Sequence, residues 1–328
     1  MIHSRSASID DERPGPLPDP RGGRAKWLTS IAVTKVPTLM AHTDPIIIIG
    51  MHRSGTSMLT RLLGTSGVFI GRRLTRNAES TFMNRLNYWV FDQASATWDQ
   101  PNGVDHLLAH DEVRPYVSQY LAGVTRGPAS ARYLGLGRWL KYRSMHTLDE
   151  PWGWKDPRST YTLPLWLEIF PGARVLHIKR HGVDVAQSLR ARHRLASANA
   201  IARYRRRQRL YDNNPVAPKR GGFGHAPAMA ELEAGLRLWR AYTERASWHV
   251  ANLGDRALEL RYEDLLNEPD HQLARVLEFC RLAFHEKPLR SAVERIRPGR
   301  RFAFAGDPEL VAFARTHHDA LAALGYSA

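Results

Sequence analysis

The chain has 328 residues, of which 43% are hydrophobic, enough for the core of one large α/β domain or two small ones. No apolar run reaches the ~20 residues of a membrane-spanning helix, and no secretory signal is apparent at the N-terminus. The formal net charge of +15 favours an anionic partner: a cofactor, an acidic acceptor, a nucleic acid or a membrane surface.

The single cysteine indicates the cellular compartment, and the composition of the N-terminal segment indicates the domain organisation. Cys280 has no second cysteine to pair with, so we expect a reducing compartment and a cytoplasmic protein. Residues 1–43 are rich in Pro, Gly, Ser, Arg and Asp and show little apolar periodicity. We therefore predict a flexible tail over 1–43 and one domain over 44–328.

The first predicted element is the strand 46–49, whose four consecutive isoleucines are typical of a parallel strand that is buried on both faces. Gly50 and Gly55 bracket a tight turn, beyond which apolar residues follow helical spacing. The spacing is that of a nucleotide P-loop, but Thr56 replaces the usual lysine and the cation lies inside the loop as Arg53. The helix start predicts a phosphate site; the alternative is that the glycines serve only the turn.

A second strand–turn–helix unit is predicted in the middle of the chain. A strand at 174–180 leads into a helix, and an extended loop, Lys155–Arg158, precedes this unit. Two such units predict an α/β fold of the P-loop-like, three-layer kind, with a central, mostly parallel sheet flanked by helices. The other predicted elements are a strand at 257–260 and helices at about 82–95, 104–124, 161–169, 230–252, 270–281 and 308–323.

A second anion site is predicted at the end of the strand 174–180. Arg180 lies at the strand end, and Ser188 follows eight residues later, about two helical turns along. The two side chains form a plausible clamp for a phosphate, with a solvated pair as the alternative. Together with the first loop, the pattern indicates a ligand with two separate phosphate groups.

Residues 191–229 interrupt the alternation of strands and helices. The window 190–220 holds ten Arg or Lys against one acid, Asp212, which leaves a charge of +9. We predict a lid-like insertion that closes over a ligand or recruits an anionic acceptor such as a saccharide; a solvated face is the alternative. Only Tyr204 and Tyr211 lie among the cations, which disfavours a platform for single-stranded nucleic acid.

The ordered motifs resemble those of sulfotransferases that use 3′-phosphoadenosine 5′-phosphosulfate (PAPS), in the bacterial branch related to carbohydrate and tyrosyl-protein enzymes. His52–Ser57 is similar to the 5′-phosphosulfate loop of this family, and Arg180 with Ser188 is similar to its 3′-phosphate motif. Trp154–Arg158 and Tyr262–Leu265 are similar to two further segments. The resemblance covers about residues 46 to 266, with the motifs in the family's order.

The resemblance implies metal-free, in-line transfer of a sulfuryl group from PAPS to a hydroxyl of a carbohydrate, lipid or small metabolite, with PAP as product. It implies that Arg180 and Ser188 bind the 3′-phosphate and that Tyr262 lies near the adenine. Arg53 is implied to stabilise charge on the leaving phosphate oxygen. The residues implied to hold the 5′-phosphosulfate are Arg53, Ser54, Gly55, Thr56 and Ser57.

The remaining catalytic candidates are a second cation and a base. Lys155 is one of only seven lysines and is the candidate cation; a buried ion pair, Lys155 with Asp156 or Arg158 with Asp156, is equally open. Glu79 lies downstream of the first helix, where related enzymes often place a catalytic carboxylate. His52 is the next candidate base, although its place inside the loop favours a structural role.

Two other classes of function stay open at this level. One is a P-loop nucleotide kinase or nucleotidase that needs magnesium, which Thr56 disfavours. The other is a non-catalytic protein that binds nucleotides or nucleic acid through the basic cluster at 203–209. For the sulfotransferase we expect a hydroxyl acceptor that can be anionic, no nucleic acid, no transmembrane helix, and a charge compatible with peripheral membrane contact.

Overall fold

The computed structural model of the protein describes residues 44–282 and 300–328, apart from 215–218, 220 and 225. The predicted tail at 1–43 lies outside the described residues. His42–Ala328 forms one compact unit. Among the described residues, no helix is both long enough and apolar enough to cross a lipid bilayer.

A sheet of four parallel strands lies at the centre of the fold. The strands are β1 (Ile46–Ile49), β2 (Gly153–Lys155), β3 (Arg174–Lys179) and β4 (Ala257–Arg261). Their order is β2–β1–β3–β4, so the isoleucine strand is central, and Ile48 is in register with Lys155 on one side and Leu176 on the other. All four isoleucines are buried, as their run predicts.

Helices cover both faces of the sheet, which confirms the predicted three-layer α/β fold. Ile47 and Ile49 face the larger core, whereas Ile46 and Ile48 face a smaller core on the other side. Each buried isoleucine stabilises the fold by about 1.5–3 kcal/mol. The helices are α1 (Thr56–Thr65), α2 (Thr81–Gln93), α3 (Gly103–Ala109), α4 (Val113–Arg126), α5 (Ala131–Leu134), α6 (Leu136–Tyr142), α7 (Ser159–Ile169), α8 (Gly182–Asp212), α9 (Leu232–Leu253), α10 (Tyr262–Asn267), α11 (Pro269–Phe279), α12 (Pro308–Thr316) and α13 (His318–Ala322).

Three elements differ from the sequence prediction. The segment expected to be an extended loop is preceded and overlapped by β2, which is only three residues long and too short to show a strand pattern. The helix predicted over 104–124 is two helices, α3 and α4, separated at 110–112. The helix predicted over 308–323 is likewise two, α12 and α13, separated at His317.

The basic segment has a helical part that the sequence analysis does not predict. Its first part, 191–212, continues α8, which runs for 31 residues. The physical reason is visible in the sequence, since no Gly or Pro occurs from 183 to 214 and Arg, Ala, Leu and Gln are good helix formers. That the segment 191–229 acts as a lid stays a prediction.

Candidate active site

The four parallel strands end at the same edge of the sheet and supply residues to one cavity of about 390 Å³. Arg53 follows β1, Lys155 ends β2, Arg180 follows β3 and Tyr262 follows β4. Strand β2 lies on one side of β1, and the next strand along the chain, β3, lies on the other side of β1. The cavity therefore lies at a topological switch point, where open parallel sheets bind ligands.

The loop between β1 and α1 has the geometry of an anion cradle. Gly50 and Gly55 have φ of +126° and +95°, which an L side chain rarely adopts. A Cβ atom on Gly55 would lie 2.4 Å from the ring of Tyr262, so this position also requires glycine for space. No described side chain caps α1; the N–H group of Met58 donates to the carbonyl oxygen of Gly55, which leaves the N–H groups of Thr56 and Ser57 without a described partner at the cavity.

Arg53 joins this loop to α8. Its Nε donates a hydrogen bond to Oγ of Ser188 at 2.8 Å, across 135 residues of sequence. Its backbone is in the left-handed region, with φ of +72°, which is uncommon for a residue other than glycine. Both side chains line the cavity, so the structure brings the two predicted anion sites together.

Arg180 has a different set of partners from the predicted clamp. Its Nη2 donates to Oδ2 of Asp184 and to the carbonyl oxygen of Arg300, both at 3.0 Å. The guanidinium carbon lies 4.7 Å from the ring centre of Tyr262. Its Nε is buried and has no hydrogen-bond partner among the described residues. Arg180 and Ser188 thus line one cavity, but Ser188 contacts Arg53 rather than Arg180.

A buried ion pair connects the loop to the predicted base. Nζ of Lys155, a residue that is 1% exposed, lies 2.8 Å from Oε1 of Glu79 and 3.4 Å from Oγ of Ser57. Burial lowers the pKa of Lys155, and the adjacent Glu79 carboxylate opposes this shift. Asn84 donates to the second oxygen of Glu79 at 3.0 Å. The candidate base and the second candidate cation are therefore direct partners.

The alternative ion pair considered for this segment also forms, but without Lys155. Nε of Arg158 lies 3.1 Å from Oδ1 of Asp156, and Asn87 donates to Oδ2 of the same carboxylate at 3.0 Å. All three residues are buried. The charges of Arg158 and Asp156 therefore compensate each other, and Lys155 forms its ion pair with Glu79 instead.

A second cavity of about 610 Å³ adjoins the first, and His52, Asn77, Glu79 and Arg192 line both. The His52 ring lies edge-on to Trp98, with 4.9 Å between ring centres. Burial, followed by the neighbouring cations Arg192, Arg158, Lys155 and Arg53, lowers the pKa of His52 well below its usual range. The ring is therefore neutral near pH 7, and its buried Nε2 has no described hydrogen-bond partner.

Of the predicted site residues, Ser54 is the one that does not line either cavity. It is fully buried, and its Oγ has no hydrogen-bond partner among the described residues. The structure brings the other predicted residues to the first cavity: His52, Arg53, Gly55, Thr56, Ser57, Glu79, Lys155, Arg180, Ser188 and Tyr262.

Three arginines of the first cavity were missing from the sequence prediction. Arg61 and Arg192 lie one helical turn beyond Ser57 and Ser188, so the helical period could have identified them. Arg300 is remote from every motif, and no local pattern indicates it. With them, six cations and one carboxylate line the first cavity, so positive charge predominates in its lining. The described residues include no group of three or more His, Cys, Asp or Glu that could hold a metal ion.

A family model described as "Sulfotransferase family" matches residues 45–286, which is more than half of the chain. This match confirms the predicted resemblance at the level of the family. A protein of Aquifex aeolicus, described as uncharacterized, is 26% identical over 246 residues, or 75% of this chain. The chain spans only about a quarter of the length of that relative, since the match covers 26% of it.

Solved sulfotransferase structures are also similar, at low identity and with TM-scores below 0.5. The sulfotransferase domain from the curacin biosynthetic pathway is 14% identical, with a TM-score of 0.43 over 88% of this chain and 99% of that one. A sulfotransferase from Alicyclobacillus acidocaldarius is 14% identical, with a TM-score of 0.38 over 87% and 96%. Mouse sulfotransferase SULT7A1, complexed with PAP, is 12% identical, with a TM-score of 0.36 over 78% and 65%.

Proposed function

Because the chain belongs to the sulfotransferase family, we propose that it transfers a sulfuryl group from PAPS to a hydroxyl group of an acceptor. The observation that carries the proposal is that two candidate anion-binding elements line one cavity. One is the glycine loop with Arg53, and the other is Arg180 with Ser188. Two separate sites of this kind match a nucleotide that bears phosphate at both its 3′ and 5′ positions.

The residues of the first cavity fit this donor. The open first turn of α1, with Arg53 and Ser57, would hold the 5′-phosphosulfate, while Arg180 and Ser188 would hold the 3′-phosphate. Tyr262 would lie beside the adenine. When bound, PAPS supplies an activated sulfuryl group on a phosphate leaving group. The unpartnered Nε of Arg180 and the uncapped start of α1 are donors that such a ligand would satisfy.

The chain itself supplies charge stabilisation, positioning and a base. Arg53 and Lys155 line the cavity as cations and stabilise negative charge that develops on the leaving oxygen. Glu79 lines both cavities, so it can take the proton from an acceptor hydroxyl that enters from the second cavity. The ion pair with Lys155 and the hydrogen bond from Asn84 fix the orientation of its carboxylate. In-line reaction then requires only that both substrates be held in place.

A P-loop kinase is the less favoured function. Thr56 occupies the position of the P-loop lysine and is 4% exposed, so it offers no cation to a γ-phosphate. A thermal-shift comparison separates the two functions: PAP should stabilise the protein, and ATP with magnesium should not. Stabilisation by ATP with magnesium but not by PAP would overturn the proposed function.

The assignment of the 3′-phosphate site is tested by Arg180→Ala. Loss of one charged hydrogen-bond donor should weaken PAP binding about 10- to 100-fold. Binding of adenosine 5′-phosphosulfate, which lacks the 3′-phosphate, should change much less. The matched control is Arg203→Ala, an exposed arginine of α8 that lines neither cavity. Equal losses for the two ligands, measured by calorimetry, would contradict the assignment.

A further inference from the structure

Arg192 lies at the boundary of the two cavities and has an unusual environment for a half-buried cation. It follows Ser188 by one turn of α8 and lines both cavities. Its guanidinium forms neither a hydrogen bond nor an ion pair with the described residues. The guanidinium carbon lies over the face of Trp98, 4.6 Å from the ring centre. Burial and the nearby Arg53 lower the pKa of Arg192, and the carboxylates of Glu79 and Asp99 oppose this shift without contacting the guanidinium. A ligand that supplies an anion in direct contact would therefore bind favourably.

Two of the other cations near this boundary are already paired with carboxylates of the protein. Lys155 is paired with Glu79, and Arg158 is paired with Asp156. In the first cavity, the glycine loop, Arg53 and Arg180 already provide for two phosphates. Arg61, Arg76 and Arg300 also have no carboxylate partner among the described residues, but each lines only one of the two cavities. Arg192 is the cation that lines both, so it is the one placed to contact an acceptor beside the donor.

The second cavity is suited to a ring-bearing molecule as well as to charge. Aromatic and aliphatic side chains from three parts of the chain line it: Tyr88, Phe91, Trp98, Leu189 and Met229. The Trp98 ring contacts both Arg192 and His52, so it lies next to the boundary between the cavities. A molecule that packs against these apolar side chains could place one hydroxyl near Glu79 and a second polar group near Arg192.

We propose that the second cavity binds the acceptor and that Arg192 selects an anionic one, through a carboxylate, phosphate or sulfate group of the acceptor. The inference rests on the proposed function and names the substrate class for it: a hydroxyl compound that also carries a negative charge. Arg192 binds the anionic group, and Glu79 takes the proton of the hydroxyl group. Two charged hydrogen bonds from one guanidinium to one anion are the geometry that arginine favours.

Matched pairs of probes test this class without knowledge of the natural acceptor. The first pair is 4-(hydroxymethyl)benzoate and 4-(hydroxymethyl)benzamide, and the second is glucuronate and glucuronamide; within each pair the size is kept and the charge is removed. Affinity is measured by calorimetry on the full chain saturated with PAP, and transfer is measured with radiolabelled PAPS. We expect the anionic member of at least one pair to bind about 10- to 100-fold more tightly.

Variants of Arg192 then connect the preference to this residue. Arg192→Gln should abolish the preference while PAP affinity stays within about threefold, and Arg192→Glu should favour the neutral probe. The control is Arg194→Gln, an exposed arginine two positions along α8 that lines neither cavity and should leave the preference intact. Retained PAP affinity also shows that the variants are folded.

The possible failures are distinguishable. Equal binding of both members of each pair, or binding of neither, overturns the anionic acceptor but leaves PAPS use standing, provided that PAP binds. A loss of PAP affinity in Arg192→Gln as large as the loss of probe affinity places Arg192 in the donor site and overturns its assignment to the acceptor. Failure of the wild-type chain to bind PAP overturns the proposed function, and this inference with it.

Discussion

At the scale of single residues, the ion pair between Lys155 and Glu79 has the largest consequence for chemistry. An ammonium group that is 1% exposed costs free energy unless a carboxylate compensates it, and Glu79 is the group that does so. The pair holds a carboxylate at the boundary of the two cavities, with Asn84 fixing its second oxygen. The same contact therefore compensates a buried charge and orients the proposed base.

Glu79→Gln tests this role directly. Because the amide cannot take a proton, kcat for sulfuryl transfer to any acceptor that the wild type uses should fall by about 10²- to 10⁴-fold. PAP affinity should be retained or should rise, since a negative charge leaves an anion site. Asn84→Ala is the control, because it keeps the carboxylate and removes one hydrogen bond. An unchanged kcat in a variant that still binds PAP would exclude Glu79 and leave His52 as the next candidate base.

At the scale of elements, the start of α1 decides whether the loop can bind an anion. Gly55 immediately precedes this helix in a left-handed conformation, against the ring of Tyr262. The same helix contains Gly64, where a Cβ atom would meet nothing within 4 Å. The two glycines therefore differ: the backbone and surroundings of Gly55 exclude a larger side chain, whereas Gly64 has space for one.

Gly55→Ala should therefore destabilise the protein by about 1–3 kcal/mol through backbone strain alone, and the contact with Tyr262 adds to this. PAP affinity should fall at least about tenfold, because the first turn of α1 must move. Gly64→Ala should instead stabilise the protein by about 0.5–1 kcal/mol, with PAP binding unchanged. Similar effects of the two substitutions in thermal unfolding and calorimetry would contradict the cradle geometry.

Helix α8 connects the site to the basic segment of the chain. Its first turns carry Ser188 and Arg192, which line the first cavity, and its outer half carries the exposed cluster 203–209. Eight of the ten cations in the window 190–220 thus belong to the same helix as two residues of the site. A helix of 31 residues is about 46 Å long, so the outer cluster is remote from the reacting groups.

At the scale of the whole molecule, burial of neutral histidines couples stability to pH. His249 is 3% exposed and lies 2.9 Å from the carbonyl oxygen of Thr160. Burial, with a smaller effect of Arg245, lowers its pKa from 6.5 to about 3. Below pH 6.5 the unfolded chain binds a proton at this position and the folded chain does not. Stability is therefore lost as the pH falls from 6.5 toward 3.

His249→Gln should flatten this dependence. Between pH 6 and pH 4, one histidine of this kind changes the free energy of unfolding by about 1.4 kcal/mol per pH unit, and the variant should lack that contribution. The control is His318→Gln, whose side chain is 61% exposed. Urea unfolding at a series of pH values measures the slopes. Equal slopes for the wild type and His249→Gln would show that this histidine is protonated in the folded state.

The sequence was sufficient for features whose cause is local. Four consecutive isoleucines are typical of a strand in a sheet that is covered on both faces, and the run therefore predicts β1 and the layer arrangement. The glycine loop with Arg53, and Arg180 with Ser188, were identified by short spacings that a strand end and a helix turn impose. Even the extension of α8 was present as an unbroken run of helix-forming residues, although it was interpreted as an insertion.

Only the tertiary structure decided which of these residues meet. The contacts between Arg53 and Ser188 and between Lys155 and Glu79 join residues 135 and 76 positions apart, and they depend on the strand order β2–β1–β3–β4. The role proposed for Arg192 in acceptor binding likewise depends on the position of α8 beside both cavities. Local spacing determines secondary structure and its nearest neighbours, whereas the partner of a charge is determined by which elements the packed sheet brings to the same edge.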